Sequence, residues 1–291
     1  MSKILKRLIK EKVITPPKWL PDNTLFLGMT GSVSYGVSTD MSDRDIVGVC
    51  IPPKNMLFKP LNQFIPGFDK HDVFEQWQQH HIKSTDGNEY DFTVYNITKF
   101  FRLCMDNNPN MIDSLYIPRN CVLHSTPIYE KIRENRDIFL HKGCYHKFRG
   151  YAYSQIHKMS IKEPDPESKR YESVLKFGFD VKFAYHVVRV LDECEQILTT
   201  GTLDLQKNRE VLKSIRRGEW SQEKIQRYFD ENERRLKDIA EKSELPWGPD
   251  KDKIRNLLFE CLEMHYDLSE TIVTDVSSEN KLEEIRKILD R

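Results

Sequence analysis

Gly31-Ser32-Val33-Ser34-Tyr35-Gly36, followed within a dozen residues by Ser42-Asp43-Arg44-Asp45, brings together the residue types that phosphate chemistry needs. A glycine lets the backbone approach an anion closely, and the N–H groups of a turn that enters a helix point at it. Ser32 adds a hydroxyl to that turn, and Ser42, directly ahead of the acids, is a further donor for the same phosphates. Asp43 and Asp45, read as a strand opening, project to one side about 7 Å apart, a spacing that holds a pair of divalent cations between them. The chemistry this constellation points to is transfer of a phosphoryl or nucleotidyl group.

A third carboxylate commonly completes such a set. Asp91 is the first acid inside the next convincing strand, and Glu89, on the same strand face, is its rival. Each element alone has an ordinary reading: a Gly-Ser pair is a turn, an Asp-x-Asp is a solvated loop, and a lone Asp flanks a strand. The order of turn, paired acids and later strand acid is far more specific than its parts.

These residues need strands and helices to hold them. Ile4, Leu5, Leu8 and Ile9 predict a short amphipathic helix, stopped by Pro16-Pro17. Leu25 to Met29 reads as a buried strand, a short helix is expected after the Gly31-Ser32 turn, and Asp45 to Ile51 reads as a second strand ended by Pro52-Pro53. The third strand is Tyr90 to Tyr95, after the turn signal Asp86-Gly87-Asn88; His80-His81 ahead of it reads as exposed loop. Asn96 is a good N-cap for a helix burying Ile97, Phe100, Phe101 and Cys104. Asn107-Asn108-Pro109-Asn110 breaks that helix and starts another through Met111, Ile112 and Leu115. Cys121 to His124 suits an edge strand, and Pro127 to Leu140 a helix.

From residue 144 onward only helices are expected, near 144–159, 168–200, 207–216, 221–243 and 250–270, with Pro164 to Pro166 and Pro246 to Pro249 as breakers. The charged segment Lys281 to Arg291 reads as a short terminal helix that frays. Within the 168–200 helix, Lys182, His186 and Arg189 fall at i, i+4 and i+7 on one face, with Phe183, Val187, Val190 and Leu191 toward the core. Three aligned donors opposite an acidic site would clamp a triphosphate or an acceptor phosphate; the alternative is a solvated basic face. Arg149, Tyr151, Tyr153 and Lys158 read as a packed interdomain helix before a nucleic-acid track. Arg216-Arg217-Gly218 reads as a basic helix C-terminus.

The chain of 291 residues exceeds one usual domain, and 45 Lys+Arg balance 45 Asp+Glu, so the basic excess of a dedicated nucleic-acid binder is missing. The six cysteines form no C-x-x-C pair and read as reduced core thiols rather than zinc ligands. No run approaches the roughly 20 apolar residues of a membrane span, and the basic N-terminus lacks a signal-peptide apolar region, so a cytoplasmic location is expected.

Gly31-Ser32, Tyr35-Gly36, Ser42-Asp43-x-Asp45 and Gly48-Val49 resemble the signature of the DNA polymerase β-like nucleotidyltransferase superfamily. With Lys99-Phe100 and Asn108-Pro109-Asn110 downstream, the longer pattern is similar to its branch of predicted nucleotidyltransferases associated with RNA repair. The Lys-x-x-x-His-x-x-Arg helix looks like part of that pattern. The resemblance implies a small mixed sheet with helices on one side. It also implies that Asp43, Asp45 and Asp91 bind metal, with Asp91 near the acceptor hydroxyl.

The expected architecture is α+β, with a catalytic nucleotidyltransferase domain at 1–143 and an all-α domain at 144–291 that closes the nucleotide cleft. The expected activity is Mg²⁺- or Mn²⁺-dependent transfer of NMP from an NTP to a hydroxyl acceptor. Gly31, Ser32, Ser42, Lys182, His186 and Arg189 are expected on the nucleotide, and no membrane partner is expected. The resemblance favours an RNA end as acceptor, while neutral net charge suits a protein or small molecule as well. The alternative is a catalytically silent nucleotide- or RNA-binding module with the same fold.

Overall fold

The computed structural model describes residues 2–38, 43–58, 74–161 and 169–266. A helix α1 (Lys3–Lys10) precedes strands β1 (Thr24–Met29) and β2 (Arg44–Cys50), a single helical turn at Lys54–Leu57, and strands β3 (Gln76–Lys83) and β4 (Glu89–Asn96). Helices α2 (Ile97–Met105) and α3 (Pro109–Leu115), strand β5 (Val122–Ser125) and helix α4 (Pro127–Glu134) complete the first half. The helices α5 (Cys144–Ile161), α6 (Lys169–Phe177), α7 (Val181–Thr200), α8 (Arg209–Arg216), α9 (Gln222–Lys242) and α10 (Lys251–Tyr266) follow.

The sheet order is β3-β4-β2-β1-β5. Its one parallel pairing joins β2 to β4, in a register that sets Asp45 directly beside Asp91. Alternation along the strands sends Ile46, Tyr90, Phe92 and Val94 to a face closed by Leu5 and Leu8 of α1. Val47 and Val49 point to the opposite face, into a core built with α2 to α5 and α7. Asp45 and Asp91 share the alternation of Val47, so both acids lie on the helical face.

Local chemistry accounts for most element boundaries. Asn96 accepts a bond from the Thr98 N–H and Asn108 from the Met111 N–H, each satisfying an orphan donor of a helix start. β5 is the edge strand its sequence predicts, and all six cysteines are buried thiols. One expected helix over 168–200 is instead two, α6 and α7. Gly178 takes the left-handed conformation (φ 83°) that ends α6, and Asp180 caps the Lys182 N–H at 2.8 Å to start α7. The expected helix Pro127 to Leu140 stops at Glu134 and passes into a 3₁₀ turn, Arg136–Phe139. The segment after Gly31-Ser32 is a tight turn rather than a helix, and Lys281 to Arg291 lies outside the described residues.

Sequence reading missed β3. Gln76-Trp77-Gln78-Gln79-His80-His81-Ile82-Lys83 has two apolar residues, Trp77 and Ile82, which reach the same core only because a β-bulge between Gln79 and Ile82 interrupts the period, with His81 at φ 56°. His80-His81 is therefore part of a strand and not loop.

α7 is the central helix of the second half, with 14 of its 20 residues buried, and α5 packs along it. Phe148 and Ala152 of α5 are fully buried, and Arg149 pairs with Glu233 of α9. One continuous apolar cluster runs from Leu25 in the sheet to Leu262 in α10.

Candidate active site

The site forms where β1 ends and β2 and β4 begin. The Thr30 N–H bonds the Asp45 carbonyl at 2.8 Å, carrying the sheet ladder one residue past β1, and the chain then turns at Gly31 with φ 63°. A Cβ on Gly31 would stand 2.5 Å from Asp45 Oδ2. Only glycine brings the turn backbone this close to the carboxylate, for reasons both of φ and of space.

On β4, Asp91 is held by the bulge of β3. His80 and His81 together oppose Asp91 alone, and the His81 N–H donates to Asp91 Oδ1 at 2.7 Å. His80 Nδ1 lies 3.7 Å from the same oxygen. Glu89 engages His81 Nδ1 at 2.9 Å, and Asp91 rather than Glu89 lines the adjoining cavity. That cavity of about 250 Å³ lies between the sheet face and the helices; Gly31, Tyr35, Asp45, His80, Asp91, Thr93, Tyr95, Asn110, Met111 and His186 are among its walls.

Burial pushes the Asp45 carboxyl above its ordinary value. The nearby Lys182 ammonium pulls it back, and the charges of Asp91 and Asp43 push it further up. Two carboxylates in register on neighbouring strands, with the charge of Asp43 acting on Asp45, form a centre of concentrated negative charge. Its oxygen-only donor set suits a hard divalent cation, which would relieve that repulsion. Among the described residues no three Asp, Glu, His or Cys side chains stand together as a ready-made metal cluster.

The structure thus brings together Gly31, Asp45, Asp91 and His186, with Lys182 and Asp43 close enough to act on the Asp45 charge. Ser32 is half-buried in the turn, its carbonyl accepting the Val37 N–H at 2.9 Å. Ser42 lies outside the described residues. Arg189 departs from the donor face expected of it. It is buried at 2% exposure, ion-paired to Asp113 of α3 and to Glu193 one turn further along α7. Glu193 stands at i+4 on the same helix, whereas Asp113, the other carboxylate that captures it, comes from elsewhere in the fold. Sequence reading also missed His80, Thr93, Tyr95 and Met111 as cavity walls; Thr93 and Tyr95 follow from the period-2 face of Asp91.

The fold and site are those of an α+β protein: a mixed five-stranded sheet backed by helices, with a glycine turn and in-register acids at its strand ends. The chain belongs to the RNA repair pathway DNA polymerase beta family, whose sequence model matches residues 2–258. It is 28% identical over 134 residues to an uncharacterized 38.9 kDa protein from the nrdC-mobD intergenic region of Enterobacteria phage T4. That match takes in 45% of this chain and 37% of the phage protein, so it spans little more than a third of that relative. A solved nucleotidyltransferase-like protein from Exiguobacterium sibiricum 255-15 overlays with a TM-score of 0.30 at 8% identity, covering 82% of this chain and 75% of that one. No described helix is long and apolar enough to cross a membrane.

Proposed function

We propose that the protein is a Mg²⁺- or Mn²⁺-dependent nucleotidyltransferase that moves NMP from an NTP to a hydroxyl, with an RNA end as the acceptor that family membership favours. The observation that carries this reading is the juxtaposition of Asp45 with Asp91 across the parallel β2–β4 pair, directly beneath a glycine that a side chain could not replace.

In this reading the Gly31 turn, with Ser32 and Ser42, receives the triphosphate on backbone N–H and hydroxyl donors. Asp43, Asp45 and Asp91 would hold the divalent ions, which when bound would neutralise phosphate charge and lower the pKa of the attacking hydroxyl. Asp91, fixed by the His81 N–H, orients the acceptor hydroxyl. The hydroxyl oxygen forms the new bond to the α-phosphorus, the bond from that phosphorus to the pyrophosphate oxygen breaks, and the hydroxyl proton passes toward the Asp91–His80 side. Lys182 and His186 of α7 face the developing phosphate charge from the helical side.

The test is incubation with each α-labelled NTP, Mg²⁺ or Mn²⁺ and a mixed RNA pool, followed by separation of RNA, protein and small-molecule fractions. Label in one fraction, lost in Asp43→Ala and Asp45→Asn, identifies reaction and acceptor together. NTP binding by calorimetry with no label in any fraction, when all three acceptor classes are supplied, would replace this reading with a silent nucleotide-binding module.

A further inference from the structure

The turn from Gly31 to Val37 has its own internal bonds: Tyr35 N–H to the Gly31 carbonyl at 3.2 Å, Gly36 N–H to Val33 at 3.1 Å and Val37 N–H to Ser32 at 2.9 Å. Both ends are glycines at positive φ, Gly31 at 63° and Gly36 at 68°, so these bonds alone fix its shape but not its angle to the sheet. Beyond the Thr30–Asp45 backbone bond at its base, the turn is held by side chains far away in sequence. Gln206 Nε2 donates to the Ser34 carbonyl at 3.1 Å. Arg216 Nη1, at the end of α8, donates to the Val37 carbonyl at 2.5 Å.

Between these two, Tyr35 is buried at 3% exposure. Its hydroxyl donates to Asp113 Oδ2 at 2.7 Å, and its ring lies 4.4 Å from the Arg189 guanidinium. Arg189 bonds Asp113 and both Glu193 oxygens, and all three charged residues are at most 2% exposed. Apolar side chains of similar volume often fill such a space at no loss of stability, whereas directional charged bonds such as those of Arg189 Nη1 to Asp113 and Glu193 restrict the buried groups that make them. Here the restricted neighbour is Tyr35, in the wall of the cavity that contains Asp45 and Asp91.

We propose that Arg189, Gln206 and Arg216 are positioning residues for the triphosphate: from the helical half they clamp the glycine turn at Ser34, Tyr35 and Val37, and so set NTP affinity without contacting the nucleotide. This inference rests on the assignment of that turn to the triphosphate. It makes the helical half part of the nucleotide site through the turn and gives Arg189 a role its burial permits.

Gln206→Ala, Arg216→Met, the double variant and Arg216→Lys test it in the whole 291-residue chain, since both positions are half-buried and their loss leaves the apolar core intact. Hydrogen exchange without nucleotide should quicken in the 31–37 segment of the double variant and stay unchanged in β4. The KM for NTP should rise about tenfold, the scale of one to two lost hydrogen bonds, while the acceptor KM stays within about twofold. Arg216→Lys, which keeps a donor, should recover most of the Arg216→Met effect. Exchange and NTP KM both within about twofold of wild type would overturn the proposal, as would a uniform rise of both KM values together with a lowered melting temperature, the mark of a merely structural role. Absence of NTP binding in the wild-type protein would instead sink the nucleotidyltransferase reading and the phosphate role with it. The exchange measurement would still show whether the side chains hold the turn.

Discussion

Gly31→Ala separates backbone strain from damage to the site. An alanine at φ 63° sits in the left-handed region, which costs about 1–2 kcal/mol. Its Cβ would also stand 2.5 Å from Asp45 Oδ2, where ordinary contact begins near 3.4 Å, so the carboxylate must retreat by about 0.9 Å. A misplacement of about 1 Å in a reacting constellation lowers rate by roughly 100-fold. Gly201→Ala is the matched control: its φ is 66°, its Cβ meets only Leu245 Cδ2 at 3.9 Å, and it lies at the far end of the 20-residue α7. Both variants should lose about 1–2 kcal/mol by urea denaturation with unchanged slope. Only Gly31→Ala should lose about 100-fold in kcat for nucleotidyl transfer, measured with saturating NTP. Equal activity in the two variants would refute the argument that the missing Cβ exists to admit Asp45.

Asp45→Asn should abolish transfer yet stabilise the fold. Like charges about 5 Å apart repel by about 1–3 kcal/mol between aqueous and near-surface dielectric, and each kcal/mol recovered raises the melting temperature by about 2–4 °C. A lowered melting temperature would show that the carboxylate is instead a structural partner. Arg189→Met leaves Asp113 and Glu193 buried without their cation and should cost about 3–5 kcal/mol in chemical denaturation; a loss below about 1 kcal/mol would show that the network does not bury net charge. Burial holds His265 and His124 below the ordinary histidine value of 6.5. The unfolded chain therefore takes up these protons first, and stability is lost as pH falls below that value. His265→Gln, which keeps a partner for Asn23, should flatten the decline of melting temperature between about pH 7 and 5; an unchanged slope would remove His265 from the explanation.

Where interactions are local, the sequence was legible. Asn96, Asn108 and Asp180 cap helices because each side chain reaches an N–H two or three residues on, and a search for such caps would have split 168–200 at Gly178-Phe179-Asp180. The strand at Tyr90 to Tyr95 was read correctly, and its alternation carries Tyr90, Phe92 and Val94 into the core and Asp91 to the opposite face. β3 was not legible, because its two apolar residues, Trp77 and Ile82, are five apart and come to one face only through the bulge at His80-His81, which leaves no period of two to read.

The types and order of the residues around Gly31, Asp43, Asp45 and Asp91 by themselves pointed to the chemistry proposed for this chain, since a glycine turn followed by acids is a local pattern of donors and charges. Tertiary structure alone decided which groups meet. The parallel β2–β4 register set Asp45 beside Asp91, the bulge of β3 brought the His81 N–H to Asp91 and its ring to Glu89, and Asp113 from α3 helped draw Arg189 out of the donor face its spacing assigned it. Helical and strand periods fix the direction of a side chain relative to its own element. Its partner is fixed by the packing of elements distant in the chain, and burial made those partnerships binding: an Arg189 without Asp113 and Glu193 could not remain in the core.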